Sequence, residues 1–371
     1  MKNHKEISIF IVTGRTGHSL VVSKALPFAR LEQVKSIYLF SESEGFAVSK
    51  CKYITVPVWI RKIKPALLGK ILRFFFEPVQ VLYYSIKLKP DFINGIYCLP
   101  KGLNSYIVSR LSGVKCVNSI IGSVLEVETE LPFKRIWRRI NLWHLKGCEA
   151  ITIKGETDRK YLLSKGIENS KLFLLNGAID IEKFFFVNDY RTIDLLFVGS
   201  FIELKGTDRI IRIVQRLLPF FPNLKVVMAG EGIMLKKIRE LAAELGVNGN
   251  ILFEGYQTNT TIYFQQSRIL IMPSRSDSLP TSMLEAMSCG CVPVISDVGN
   301  VTQAAMNNIN SRVIKNYEDL NAFVEAITEL LNNEPKRLEF ARNGRKTVEN
   351  YYSVESQSKL AGNIINYLYN N

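Results

Sequence analysis

Short apolar runs alternate with amphipathic stretches along most of the chain. Ile7 to Val12 reads as a buried strand, followed by a turn carrying two glycines and a helical period that runs to Leu31. Strand patterns return at Ser36 to Phe40, Tyr53 to Val56, Asp91 to Gly95, Val114 to Ile121, Ala150 to Ile153 and Leu172 to Leu175. Helical spacing covers Asn104 to Leu111, Leu131 to Lys146 and Thr157 to Leu163. From Val58 to Lys89 no period emerges; aromatic and basic residues simply interleave, Trp59, Arg61, Lys62, Lys64, Lys70, Arg73 and Phe74 to Phe76 among them.

Ala178 to Thr192 is also without period and reads as a linker. Beyond it strands are expected at Leu195 to Val198, Lys225 to Ala229, Ile251 to Glu254, Ile269 to Met272 and Cys291 to Ile295. Between and after them helices are expected at Asp208 to Leu218, Met234 to Leu245, Thr260 to Gln266 and Ser282 to Ser288, then at Leu320 to Leu331, Lys336 to Tyr351 and Val354 to Leu368. Strands alternating with helices imply an α/β chain with doubly wound parallel sheets. At 371 residues two cores are expected. The division is 1–185 and 186–352, with 353–371 a last helix crossing back to the first domain.

Composition narrows the function classes. A hydrophobic content of 47% with 22% charge is that of a folded globular chain. No run of about 18 apolar residues is present, and the N-terminus lacks a signal-peptide pattern, so a cytoplasmic chain is expected. Six scattered cysteines and three histidines suggest neither a disulfide framework nor a metal site. Charge is lopsided: residues 1–185 hold 29 Lys/Arg against 15 Asp/Glu, whereas 186–371 hold 19 of each. The whole excess of +14 therefore sits in the first half, which points to an anionic partner there.

Three loops carry candidate chemistry. The first, Thr13-Gly14-Arg15-Thr16-Gly17-His18, follows a strand and would let backbone approach a ligand. The second, Gly199-Ser200 to Lys205-Gly206, sets a lysine beside a helix start, where unpaired N–H groups favour a diphosphate; a surface lysine is the plain alternative. The third runs from Pro273 to Ile295 and places Asp277 in a strand-to-helix loop and Glu285 on the helix behind it. Ser282-x-x-Glu285 also fits a capping box, in which Glu285 serves only the helix. The 131–146 segment spaces Phe133, Ile136, Trp137, Ile140 and Leu145 helically, with Lys134, Arg135, Arg138 and Arg139 opposite. It is either a core helix with a basic back or a helix resting on anionic lipid.

These elements together resemble the family 4 retaining glycosyltransferases. The resemblance rests on Gly199-x5-Lys205-Gly206, on Asp277-Ser-Leu-Pro-Thr-Ser-Met-Leu-Glu285-Ala-Met-Ser-Cys-Gly-Cys-Val-Pro293-Val, and on Leu174-Leu-Asn-Gly-Ala-Ile-Asp180 ahead of the linker. It implies a GT-B fold, two facing Rossmann-like domains with an interdomain cleft, and transfer of sugar from a nucleotide-sugar, a UDP-sugar by expectation. Glu285 would hold the ribose, Lys205 the diphosphate, and Asp277 with Ser278, Leu279, Pro280 and Thr281 the sugar. Gly14, Gly17, Arg15 and His18 would close from the other domain. Two positions depart from the family: Ser200 stands where an arginine is common, and Asp277 where a glutamate is. No Asp-x-Asp occurs, so metal-independent transfer without a cofactor is expected. The basic, aromatic first half suggests a lipid-linked or polysaccharide-precursor acceptor and a peripheral place on an anionic membrane surface. Two other readings remain: another GT-B enzyme such as a sugar-nucleotide epimerase, or a non-catalytic basic binding module. Nucleic acid is not an expected partner, because no recognisable binding signature accompanies the charge.

Overall fold

The computed structural model describes residues 6–14, 18–42, 47–57, 66–121, 133–187 and 191–370, without the side chains of 18–20 and 66–75. The chain forms two compact units, Met1–Ala178 with Val354–Asn371, and Ile179–Ser353. The boundary falls at 178/179 rather than at 185/186. Residues 179–187 thus open the second unit, where Ile179 pairs as an isolated bridge with Ser353.

In the first unit the order is β1 (Ile7–Val12), α1 (His18–Lys24), α2 (Leu26–Ala29), β2 (Val34–Ser41), β3 (Cys51–Thr55), α3 (Ala66–Leu88), β4 (Phe92–Ile96), α4 (Leu103–Ser112), β5 (Lys115–Ser119), α5 (Lys134–Gly147), β6 (Ala150–Ile153), α6 (Glu156–Ser164) and β7 (Leu172–Leu174). The sheet is parallel throughout, in the order β3-β2-β1-β4-β5-β6-β7. The central strands β1 and β4 are buried along nearly their whole length, as parallel strands covered on both faces are. The single helix expected up to Leu31 is split in two, with Pro27 in the first turn of α2; proline fits there because its missing N–H would be unpaired anyway.

Helix α3 was not legible as a period. Among its described side chains the buried positions, Glu77, Val81 and Ser85, do recur every four residues. Val79, Tyr83 and Ile86 are apolar on the opposite, exposed face, so the contrast that reveals an amphipathic helix is absent.

The second unit runs β8 (Ile193–Val198), α7 (Thr207–Leu217), β9 (Val226–Ala229), α8 (Leu235–Glu244), β10 (Ile251–Gly255), α9 (Thr261–Gln266), β11 (Ser267–Met272), α10 (Thr281–Ser288), β12 (Val292–Ser296), β13 (Arg312–Ile314), α11 (Leu320–Asn332) and α12 (Glu334–Tyr351). Its parallel sheet has the order β10-β9-β8-β11-β12-β13. Apolar residues on the two faces of this sheet build two cores, one around Phe197, Ile213 and Phe323, the other around Leu270, Met283 and Met287. The last helix, α13 (Val354–Asn370), belongs to the first unit: Ala361, Ile364, Ile365 and Leu368 enter the core that also holds Ile9, Phe28 and Leu175.

In each sheet the strand order reverses once, between β1 and β4 and between β8 and β11. Loops leaving the carboxyl ends of such neighbours diverge to opposite faces and open a crevice, which is where open α/β sheets bind ligands.

Candidate functional site

The second unit's crevice lies between the loop after β8 and the loop after β11, which carry Lys205 and Asp277. Across it the Lys205 ammonium pairs with the Asp277 carboxylate, both side chains largely shielded from solvent. Four further contacts stitch the same loops. Arg275 donates its backbone N–H to the Leu204 carbonyl at 2.8 Å and pairs with Glu203 through its guanidinium. Arg209 donates to the Pro273 carbonyl at 3.1 Å. Gly206 adopts φ +63°, and a Cβ there would overlap the Pro273 carbonyl oxygen; only glycine allows that approach at that backbone conformation.

A third loop supports the Asp277 turn from behind. The Asn300 backbone N–H donates to the Ser278 carbonyl at 2.9 Å, and its side chain reaches the Ser278 hydroxyl at 3.4 Å. Gly299 lies so close that a Cβ would overlap the Asp277 carbonyl. One Asp277 carboxylate oxygen accepts the Ser278 backbone N–H at 3.0 Å. Arg275 lies in the third loop read from the sequence without a role assigned to it there; Gly299 and Asn300 lie beyond that loop, and only the fold brings 297–300 against the turn.

Helix α10 starts directly behind this turn. Its N-cap is Pro280, with no side-chain cap, so the capping box proposed for Ser282 and Glu285 does not form. Ser282 instead directs its hydroxyl to the Met272 sulfur at 4.0 Å. Uncapped first-turn N–H groups favour a negative ligand. Leu279 and Pro280 are buried, Leu279 in the core, while Thr281 is half-buried.

Glu285 sits one turn into α10 and is 9% exposed. Burial pushes its carboxyl up to about 8, and the nearby positive charge of Lys183 only partly opposes this. Neither Lys205 nor Asp277 contributes to that shift, and no side-chain hydrogen bond to Glu285 is formed among the described residues. The structure therefore brings Lys205 and Asp277 together and leaves Glu285 as a separate, buried acid. Gly199 and the exposed Ser200 line a neighbouring cavity of about 230 Å³ at the carboxyl ends of β8, β9 and β10, with Glu231, Tyr256 and Gln257 on its other sides.

The first unit's crevice, between β1 and β4, holds a comparable pair. Lys101, from the loop after β4, is ion-paired with Glu77 of α3, and both are more than nine-tenths buried. The Lys101 side chain comes within 4.0 Å of where a Gly14 Cβ would stand. One Glu77 carboxylate oxygen and the Thr13 hydroxyl are buried without a partner among the described residues. The sequence offered no motif for Lys101 or Glu77. Arg15 and Gly17 lie outside the described residues, as does the side chain of His18.

Helix α5 corrects the face read from the sequence. Its buried positions are Asn141, His144 and Leu145, whereas Phe133, Ile136 and Trp143 are exposed by 78%, 54% and 57%. Trp143, rather than the half-buried Trp137, is the exposed indole. Lys134, Arg135 and Arg139 are exposed beside them, and Arg138 is half-buried. Burial keeps the His144 imidazole neutral, lowering it to about 4.

Among the described residues no group of His, Cys, Asp and Glu is arranged to hold a metal, and no helix is long and apolar enough to cross a membrane.

Residues 179–347, nearly the whole second unit, match the family described as glycosyl transferases group 1. The chain is 27% identical over 159 residues to the lipopolysaccharide core biosynthesis glycosyltransferase LpsE of Rhizobium meliloti, covering 43% of this chain and 45% of that one. It is 18% identical over 294 residues to the UDP-Gal:alpha-D-GlcNAc-diphosphoundecaprenol alpha-1,3-galactosyltransferase of Escherichia coli, covering 74% of each. The first curated relatives are matched over about half their length. Among solved structures, Anabaena HepE in complex with UDP superposes with a TM-score of 0.76 at 12% identity, covering 97% of this chain and 99% of that one. The fold is therefore GT-B, two Rossmann-like parallel-sheet domains, and the second unit carries the group 1 glycosyltransferase pattern.

Proposed function

We propose that this chain is a retaining glycosyltransferase that moves a sugar from a nucleotide-diphosphate donor, a UDP-sugar, to a lipid-linked acceptor. The observation that carries this reading is the Lys205–Asp277 pair at the switch point of the second sheet, directly ahead of the uncapped start of α10. A donor diphosphate entering there meets an ammonium and a set of unpaired N–H groups. As the sugar leaves, charge grows on the diphosphate, and donors already aimed at that charge stabilise the transition state without reorganising.

In this reading the diphosphate displaces Asp277 from Lys205, freeing the carboxylate to accept sugar hydroxyls. Glu285 accepts from the ribose, and the cavity beside Ser200 and Tyr256 takes the base. Arg275 and Asn300 position the loops without touching substrate. Lys205 and the helix start supply the electrostatic stabilisation, so turnover in the presence of a chelator is expected. The E. coli relative's name, with its UDP-galactose donor and diphosphoundecaprenol-linked acceptor, supports a UDP-sugar and a lipid-linked acceptor here. Exposed Phe133, Ile136 and Trp143 beside Lys134, Arg135 and Arg139 support an anionic membrane surface as the place of work.

The test is a nucleotide-sugar screen with purified full-length protein, reading nucleoside diphosphate release with and without chelator. Lys205→Met is expected to lower kcat by about 100- to 1,000-fold, in the range seen when one oxyanion donor is removed. Wild-type release at the rate of the Lys205→Met protein for every donor would overturn the proposal. Proton NMR of the product sets the stereochemistry; an inverted anomeric centre would sink the retaining mechanism alone.

A further inference from the structure

A further cavity of the second unit lies away from the crevice. It has a volume of about 870 Å³ and opens at the amino-terminal edge of the same sheet, where β8, β9 and β11 begin. A six-residue strand separates this edge from the Lys205 loop by roughly 20 Å.

One side of the cavity is cationic. Arg268 of β11 pairs with Asp194, and Arg337 of α12 pairs with Glu334 and donates to the Leu330 carbonyl at 3.1 Å. Beneath them Arg191 gives its guanidinium hydrogens to the carbonyls of Val187, Phe264, Ser267 and Cys289, so its charge is buried while its donors are spent on the fold. Arg342, about one turn beyond Arg337, is exposed and has no partner among the described residues. Among the described residues of this lining, four guanidiniums thus stand against two carboxylates. Burial lowers the Arg337 guanidinium from its ordinary range; its partner Glu334 opposes this, and the positive charges of Arg268 and Arg191 push it down. That mutual repulsion is what a bound anion relieves. The other side is apolar: Phe220 is 68% exposed, and Phe221 and Leu338 are half-buried beside it.

We propose that this cavity is a binding site, separate from the donor crevice, for a phosphorylated amphiphile. The phosphate lies against Arg342 and the unspent hydrogens of Arg337, and the apolar chain lies along Phe220, Phe221 and Leu338. Guanidinium suits this task because its planar fork can place two parallel hydrogen bonds on one phosphate. The chain supplies affinity that inorganic phosphate lacks, because its methylenes leave water for the apolar side of the cavity.

Calorimetric titration of the full chain with octyl phosphate, inorganic phosphate and octanol, each with and without UDP, tests this. Octyl phosphate below its micellar concentration is expected to bind at least tenfold more tightly than either fragment, whether or not UDP is present. Arg342→Ala is expected to weaken it about tenfold, and Leu338→Asp to erase the advantage of the alkyl chain. Arg342 is exposed, so its variant should keep the wild-type melting temperature, which is measured alongside. Inorganic phosphate binding as tightly as octyl phosphate would overturn the proposal, as would affinity untouched by both substitutions or competition by UDP. Because the readout depends on Arg342 and not on Lys205, its outcome is independent of whether donor transfer is confirmed.

Discussion

At the scale of single residues, Glu285 carries the sharpest consequence. Its folded-state carboxyl titrates near 8 against an ordinary 4.5, because burial penalises the charged form. A raised acid contributes stability that is fully present below the unfolded value and is lost as pH rises through the folded one. The window is therefore pH 4.5 to about 8, with a cost of up to about 1.4 kcal/mol for each unit crossed. Denaturant melts at pH 5, 6.5 and 8 should show wild type losing stability relative to Glu285→Gln across that range; parallel curves would refute it. The same acid links to ligand. If ribose hydroxyls donate to Glu285, they favour the carboxylate, so UDP binding at pH 7 releases a proton. Calorimetry in buffers of different ionisation enthalpy should detect that release in wild type and not in Glu285→Gln. Lys205 and Asp277 pair in the free protein, but with donor bound Lys205 meets the diphosphate and Asp277 the sugar, so their losses should largely multiply. The Lys205→Met/Asp277→Asn double variant is expected to lose kcat/KM by close to the product of the two single losses, and a double no worse than the worse single would mean that the two act only as one ion pair.

At the scale of elements, the crevice depends on how closely its loops approach. Gly206 holds φ +63° against the Pro273 carbonyl, so Gly206→Ala must push the Lys205 loop away from the β11 loop. The expected result is weaker UDP binding by tenfold or more, with a stability loss of about 1–3 kcal/mol; unchanged UDP affinity would show that the approach does not shape the site. Much of this framework was legible beforehand. The Ile7–Val12 and Ala150–Ile153 strands match the sequence expectation to the residue, because short β-branched, mainly apolar runs bounded by polar residues admit little else. What escaped has physical reasons. Helix α3 escaped because exposed Val79, Tyr83 and Ile86 mask its period, and Glu77 was hidden with it. Lys101 escaped because its partner is 24 residues away on that unseen helix. The buried face of α5 departs from its apolar spacing because Asn141 and His144, polar in sequence, are buried, while Phe133 and Trp143 face outward. Lys205, Asp277 and Glu285 were each picked out, yet only Lys205 and Asp277 meet, a distinction that spacing along a chain does not contain.

At the scale of the whole molecule, the two units have separate cores, and the chain reaches the first twice, at its beginning and through α13 at its end. Ala361, Ile364, Ile365 and Leu368 are at most 3% exposed there, against α2 and β7, and the Lys115 ammonium pairs with the Leu368 carbonyl. Replacing Ile364 by alanine removes three buried carbons and leaves a cavity, which costs about 2–5 kcal/mol. That loss should fall on one unit. The second unit's cores contain no residue beyond Tyr352, so its packing is untouched. Intrinsic Trp emission reports only on the first unit, since the tryptophans are Trp59, Trp137 and Trp143. UDP binding, if the donor site lies where Lys205 and Asp277 meet, reports on the second. Ile364→Ala is therefore expected to shift the Trp-monitored urea transition to lower denaturant while UDP affinity stays within about twofold of wild type. A common shift of both signals would mean that the units unfold as one cooperative body. The donor crevice would then depend on a helix that contributes nothing to its lining.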